Sequence, residues 1–265
     1  MIKSISDFKA SIKRKKIIIF VIQFLLLFFF LGCWEILARL NIINEFLLSK
    51  PSSIISLFFS YLRDGTLFKH LLISTFEALI ALIISTFFGI AISILLYLSD
   101  TVTKIIDPFL TVLNAIPKSA SGIIFIIWFG TSYKGIIAVS VSFSIVITII
   151  NCLSYFKSVD KEYIKMVQVM GANKFQILTK VILPSSFENL LSLLKVNIGL
   201  SWVGIVVGEF LVSKEGIGYL ILYGGQVFKM DLVMMGILVL SFIALGMYHL
   251  INLLQKLVRK LMNHN

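Results

Sequence analysis

An all-α integral membrane fold with about six transmembrane helices is predicted by three observations. The chain is 58% hydrophobic and only 14% charged, against roughly 45–50% and about 25% in soluble domains. Its apolar residues gather into six continuous stretches, approximately 17-38, 71-98, 105-129, 135-153, 187-212 and 232-255. Each is close to the roughly 20 helical residues that cross a hydrocarbon layer about 30 Å thick. The cations are also sided. With the N-terminus inside and six alternating spans, fifteen Lys and Arg fall on the inner side and six on the outer, which predicts cytoplasmic termini. Continuous rather than alternating runs imply helices, since a lone segment in lipid must satisfy its own backbone. A chain of 265 residues holds these spans and their loops with no room for an ordinary soluble domain, so 1-265 is read as one transmembrane domain.

Taken in order, the first stretch follows Lys13-Arg14-Lys15-Lys16 like a secretory signal, but it carries Trp34-Glu35 where small cleavage-site residues belong. It is therefore read as a retained span. The outer segment 39-70 has Pro51-Ser52-Ser53 ahead of Ile54, Ile55, Leu57, Phe58, Phe59 and Leu62, and closes on Arg63-Asp64-Gly65, which predicts an amphipathic helix. Small residues recur every fourth position in the second, fourth and fifth stretches: Ala81, Ser85, Gly89 and Ser93; Ser140, Ser144 and Thr148; Gly204 and Gly208. Such ladders let helices approach closely where lipid offers no hydrophobic drive. The third stretch is interrupted by Pro117-Lys118-Ser119-Ala120-Ser121-Gly122. Proline removes a helix hydrogen bond, and a lysine near mid-span costs on the order of 2.5–3.5 kcal/mol. Two readings stay open: a broken helix lining a path, with Lys118 attracting an anion, or a kink whose Lys118 pairs with Glu77 or Glu209 or snorkels. Glu209 stands beside Trp202, Gly204 and Gly208 in the fifth stretch, and a gating or ion-pair role is its functional reading. Gly216-Ile217-Gly218 through Gly224-Gly225 suggests a re-entrant turn before the last span.

Within the inner segment 154-186, residues 162 to 184 form the longest basic, amphipathic interruption. Asp160 and Glu162 supply negative charge at the start of a short helix, where the helix dipole favours it, and Ile164, Val167 and Met170 repeat at a spacing of three. Gly171 suits a left-handed stop. Asn173 and Gln176 suit the cap of a second short helix carrying Phe175, Leu178, Val181 and Ile182 and ending at Pro184, after which Ser185 and Glu188 would form a capping box for the fifth span. On these residues alone the segment is either a surface linker or a helical elbow docking a partner.

Gly171, nine residues, then Val181-Ile182-Leu183-Pro184 resembles the coupling-loop signature of the permease subunits of ABC importers, Glu-Ala-Ala, three residues, Gly, nine residues, Ile-x-Leu-Pro. The likeness extends to Lys50-Pro51-Ser52, Asp64-Gly65-Thr66-Leu67, Ile116-Pro117-Lys118, Ile127-Trp128-Phe129-Gly130, Trp202-Val203-Gly204, Gly208-Glu209-Phe210-Leu211 and Gly216-Ile217-Gly218-Tyr219. These resemble the nitrate, sulfonate and taurine branch, over residues 46 to 255. The resemblance implies a homodimer of permease copies, two cytoplasmic ATPase subunits, an extracytoplasmic substrate-binding protein and a cell-membrane location. Its cargo would be a small solute, such as nitrate, a sulfonate, taurine or a vitamin precursor. It places the ATPase-coupling loop on Glu162, Lys165, Gly171, Ala172, Phe175, Leu183 and Pro184, and the fifth span, with Trp202 and Glu209, near a translocation pathway, which Pro117, Lys118 and Ser119 would join in the functional reading of the broken third stretch. One departure is plain: Lys165-Met166-Val167 stands where the family has Glu-Ala-Ala, with Glu162 one turn earlier on the same face.

The net charge of +11 does not point to nucleic acid, because the cations sit between apolar runs rather than among aromatics on a polar face. There is no Gly-x-x-x-x-Gly-Lys-Ser/Thr stretch to cradle ATP phosphates, so the motor is expected in another chain. His70, His249 and His264 lack metal spacing, and no nucleophile is grouped with a base, so neither a metal, a cofactor nor catalysis is expected. Cys33 and Cys152 lie in or at the edge of apolar runs and read as small hydrophobes. The rival class is a self-contained channel or secondary transporter using Lys118 and Glu209 as an ion relay.

Overall fold

The computed structural model describes residues 5–262, which form helices and loops with no strand among them. The helices are α1 (Ile5–Arg39), α2 (Glu45–Leu48), α3 (Pro51–Arg63), α4 (Thr66–Tyr97), α5 (Asp100–Ala115), α6 (Lys118–Phe129), α7 (Tyr133–Lys157), α8 (Lys161–Val169), α9 (Lys174–Ile177), α10 (Leu183–Val212), α11 (Ile217–Gln226) and α12 (Met230–Met262). A π turn, Leu178–Ile182, joins α9 to α10 without a break. Among the described residues five helical segments are long and apolar enough to cross a bilayer, within α1, α4, α7, the run Lys174–Val212, and within α12, and the bent pair α5 and α6 makes six if it counts as one span.

The core is the packing of α4, α7 and α10, and small residues make it possible. Ala81, Ser85, Ser93, Ser140, Ser144 and Thr148 are fully buried. A Cβ added at Gly89 would sit 2.5 Å from Thr148 Cγ2, and one at Gly204 would sit 2.5 Å from the Cα of Ser140. The helix backbones are thus in near contact at the ladder positions, as membrane packing through van der Waals contact requires. Most of the polar groups at this seam find partners in it: Ser140 Oγ donates to Ser201 O at 2.9 Å, Thr148 Oγ1 to Asn197 Oδ1 at 3.1 Å, and Asn197 Nδ2 to Thr86 Oγ1 at 2.9 Å, while the hydroxyl of Ser201 itself has no partner among the described residues. A hydroxyl left unpaired at that depth would cost a few kcal/mol.

One sequence expectation holds and one is corrected. The third apolar stretch is interrupted where expected: it divides at Pro117 into α5 and α6, which meet at a 100° bend. Ile116, pressed by the proline ring out of the helical region, has φ −63° and ψ 132°. In the fifth, Pro184 does not end the short helix before it. The helix runs from Lys174 to Val212 with Pro184 near the start of α10. The wider π turn just ahead of it makes room for a ring that would clash with the carbonyl one regular turn back. The capping box expected at Ser185 and Glu188 is therefore absent, and Ser186 instead donates to Tyr155 O at 3.4 Å.

Helix α1 stands apart. Residues 17 to 30 are exposed along its whole circumference, and its C-terminal end docks, where Trp34 Nε1 donates to Ser49 O at 3.3 Å and Glu35 accepts from Ser52 N and Oγ at 3.0 and 2.9 Å. Helix α3 is the amphipathic helix expected after Pro51. It packs with α11 and α12 in a cluster built on Ile54, Leu67, Ile217, Leu220, Leu232 and Met235.

Candidate functional site

The elbow between α7 and α10 is built by its own capping residues. Asp160 accepts from Glu162 N at 2.9 Å to start α8. Gly171 then takes φ +86°, a left-handed conformation that strains any residue with a Cβ, and Ala172 N bonds back to Val167 O at 3.1 Å. Asn173 and Gln176 form a reciprocal capping box, Gln176 N to Asn173 Oδ1 at 2.8 Å and Asn173 N to Gln176 Oε1 at 2.9 Å. Each step spends a few polar atoms to reverse the chain within a short distance.

The elbow has two apolar sides with different fates. Ile164, Val167, Ala172, Leu183 and the buried Ile177, Leu178 and Ile182 pack onto Cys152, Phe156 and Leu193 at one end of the bundle. Tyr163, Met166, Val169, Met170 and Phe175 face away, with Val169 89% and Met170 80% exposed. Met170 thus departs from the sequence pattern: it caps α8 where the chain turns, so it leaves the face of Ile164 and Val167. Glu162 and Lys165 are exposed on α8, and neither has an ion-pair partner among the described residues. Pro184 is exposed. Lys174 reaches Asp100 of α5 at 3.2 Å, an open surface pair of little energetic consequence.

The second group, at the bend, is only partly brought together. Pro117 and Ser119 are exposed and Lys118 is half-buried. Lys118 Nζ donates across the break to Asn114 Oδ1 at 3.3 Å, so its partner is an amide rather than Glu77 or Glu209. Trp202 lies in the core of the bundle, its Nε1 3.0 Å from Met247 Sδ. Glu209 is completely buried and works as a clasp. Its carboxylate accepts from Ser74 Oγ of α4 and from Gly218 N of α11. Ser74 Oγ in turn accepts from Ile217 N at 2.8 Å, and His70 Nδ1 from Gly216 N at 2.8 Å. A Cβ at Gly216 or Gly218 would run into the Glu209 carboxylate, so both glycines are needed for the loop to close on it. Ser74 and His70 belong to this clasp without any local sequence signal, since they lie 135 to 146 residues away from their partners.

The chain was compared with known proteins. The family model described as binding-protein-dependent transport system inner membrane component matches residues 85–264. A putative aliphatic sulfonates transport permease protein of Bacillus subtilis is 28% identical over 88% of this chain and 84% of its own length. The taurine transport system permease protein of Escherichia coli is 29% identical over 81% and 80%, and the formylaminopyrimidine transport permease protein of Halalkalibacterium halodurans 32% over 70% and 74%. Among solved structures, a bacterial ABC transporter involved in the import of the acidic polysaccharide alginate aligns over 94% of this chain and 98% of its own, with TM-score 0.63 and 13% identity. The MetNI methionine ABC transporter in inward-facing form covers 69% of this chain and 96% of its own, with TM-score 0.51 and 17% identity. At these identities the structural matches speak for the fold.

Proposed function

The chain belongs to the binding-protein-dependent transport system inner membrane components, and from that premise we propose how it works as the permease subunit of an ATP-driven importer. It pairs with a second copy of itself to form the pathway for a small solute. Two cytoplasmic ATPase subunits and an extracytoplasmic binding protein complete the assembly, which sits in the cell membrane with both termini inside. The cargo belongs to the range carried by its relatives, small polar organic solutes and oxyanions such as sulfonates, taurine or nitrate. The chain itself hydrolyses nothing and holds no cofactor.

The observation that carries this reading is the outward side of the elbow. Tyr163, Met166, Val169, Met170 and Phe175 form an apolar surface next to exposed Glu162 and Lys165, on a segment whose other side is anchored in the bundle. Contiguous exposed apolar residues mark a docking surface, and the family supplies the ATPase as its occupant. With Gly171 as hinge and Leu183 and Pro184 leading straight into α10, a displacement of the docked elbow is carried along a continuous helix to the clasp at Glu209. Pro117, Lys118 and Ser119 contribute polar surface and a cation to the pathway, while Trp202 and Glu209 hold the wall behind it.

The test is reconstitution in proteoliposomes with the cognate ATPase and binding protein. Solute is expected to accumulate only with ATP, and Met166→Ser with Val169→Ser should weaken ATPase association about tenfold or more, or at least ~1.4 kcal/mol. Solute flux through the purified chain alone would instead favour a self-contained channel or secondary transporter.

A further inference from the structure

Glu77 is a buried acid with no assigned role. It lies on α4, 4% exposed, and no hydrogen-bond donor reaches its Oε2. The contrast with Glu209 is instructive, because that equally buried carboxylate is met by a hydroxyl and a backbone amide. Among the described residues no lysine is ion-paired with Glu77: Lys69 pairs with Glu215 and Lys118 bonds Asn114. Burying a carboxylate without partners costs several kcal/mol, so Glu77 stands where a donor from outside the chain is wanted.

The space for that donor exists. Glu77 lines a cavity of about 640 Å³ at the end of the bundle where α7 begins and α10 ends, bordered by Ser132, Tyr133, Lys214 and Glu215. The volume falls within the roughly 300–1,000 Å³ of small-molecule sites. Of the two acids that line the cavity, Glu215 is paired with Lys69, which leaves Glu77 as the lining acid without an ion-pair partner among the described residues, while Lys214 is the cation on the border. A divalent metal would need several oxygen ligands, and no group of three acids, histidines or cysteines among the described residues could hold one. An ammonium group, with three donors and a single positive charge, fits one carboxylate flanked by hydroxyls.

We propose that this cavity binds a small solute bearing a protonated amine, with the ammonium on Glu77 and, where the solute also carries an acid group, that group at Lys214. The proposal rests on the importer-permease reading and narrows its cargo to amine-bearing molecules. Ser132 and Tyr133 offer hydroxyls to the same ligand.

Two probes that differ only in the amine test it: radiolabelled 2-aminoethanesulfonate and ethanesulfonate, measured by equilibrium binding to the permease–ATPase complex in lipid nanodiscs. The wild-type complex is expected to bind the amine at least tenfold more tightly. Glu77→Gln should bring the two affinities together, and Lys214→Met should weaken both while keeping their ratio. A wild-type complex that does not prefer the amine overturns the proposal without reference to any variant, as does a folded Glu77→Gln complex that keeps the preference. ATPase co-purification and ATP hydrolysis are read in the same samples. If they persist while the amine preference is absent, the site fails and the permease reading stands; if the ATPase does not associate with the wild-type chain, the permease reading fails.

Discussion

A single methyl group separates two glycines of α10. At Gly204 an added Cβ would meet the backbone of Ser140 at 2.5 Å, whereas at Gly199 nothing lies within 4 Å. Gly204→Ala is therefore expected to destabilise the fold by about 1–3 kcal/mol through overpacking, while Gly199→Ala should be neutral or stabilising, since alanine is the better helix former by about 1 kcal/mol. Thermal unfolding of the detergent-purified protein compares them, and equal melting temperatures would contradict the close packing of α7 on α10. Glu209→Ala removes the acceptor of Ser74 Oγ and Gly218 N and leaves both buried, at about 1–3 kcal/mol for each orphaned group. The expected outcome is a loosened loop ahead of α11, read as faster proteolysis or amide exchange at residues 213–218. The sequence singled out Glu209 through its glycine neighbours, but Ser74 and His70 carried no mark, because a hydrogen bond between distant helices leaves no trace in local composition.

Among the elements, the elbow was the most legible. Its stop at Gly171, its acidic start at Asp160 and Glu162, where Asp160 proves to be the cap, and its capping box at Asn173 and Gln176 are local chemistry, written in neighbouring residues. Gly171→Val places a β-branched residue at φ +86°, a strain of roughly 1–2 kcal/mol. It should misalign α8 and weaken ATPase binding without lowering the melting temperature of the bundle, and pull-down with the ATPase alongside thermal unfolding checks both halves. Pro184 misled for the opposite reason. A proline reads as a helix end when only its own ring is considered, but the π turn at Leu178–Ile182 relieves the clash, and that turn depends on how Ile177, Leu178 and Ile182 seat against Cys152, Phe156 and Leu193. The break at Pro117 was visible in sequence, whereas its 100° angle was not.

At the scale of the molecule, α1 presents apolar side chains to its surroundings over residues 17 to 30. This is unremarkable in lipid, where an exposed Phe or Leu costs nothing. The sidedness of lysines and arginines predicts that a cysteine at Lys174 reacts with a membrane-impermeant maleimide only from the cytoplasm and one at Glu215 only from outside; the reverse pattern in whole cells and inverted vesicles would overturn the topology. Membrane residence, the number of apolar stretches and the likeness to importer permeases followed from the chain alone, because hydrophobic length, charge bias and turn chemistry are properties of neighbouring residues. Which helices form the core, the coupling of Glu209 to Ser74 and Gly218, the pairing of Lys118 with Asn114 and the solitary burial of Glu77 beside a cavity were decided only by tertiary structure. Each depends on helices that approach closely in space while lying far apart in sequence, and in lipid that approach is set by the fit of small side chains rather than by hydrophobicity.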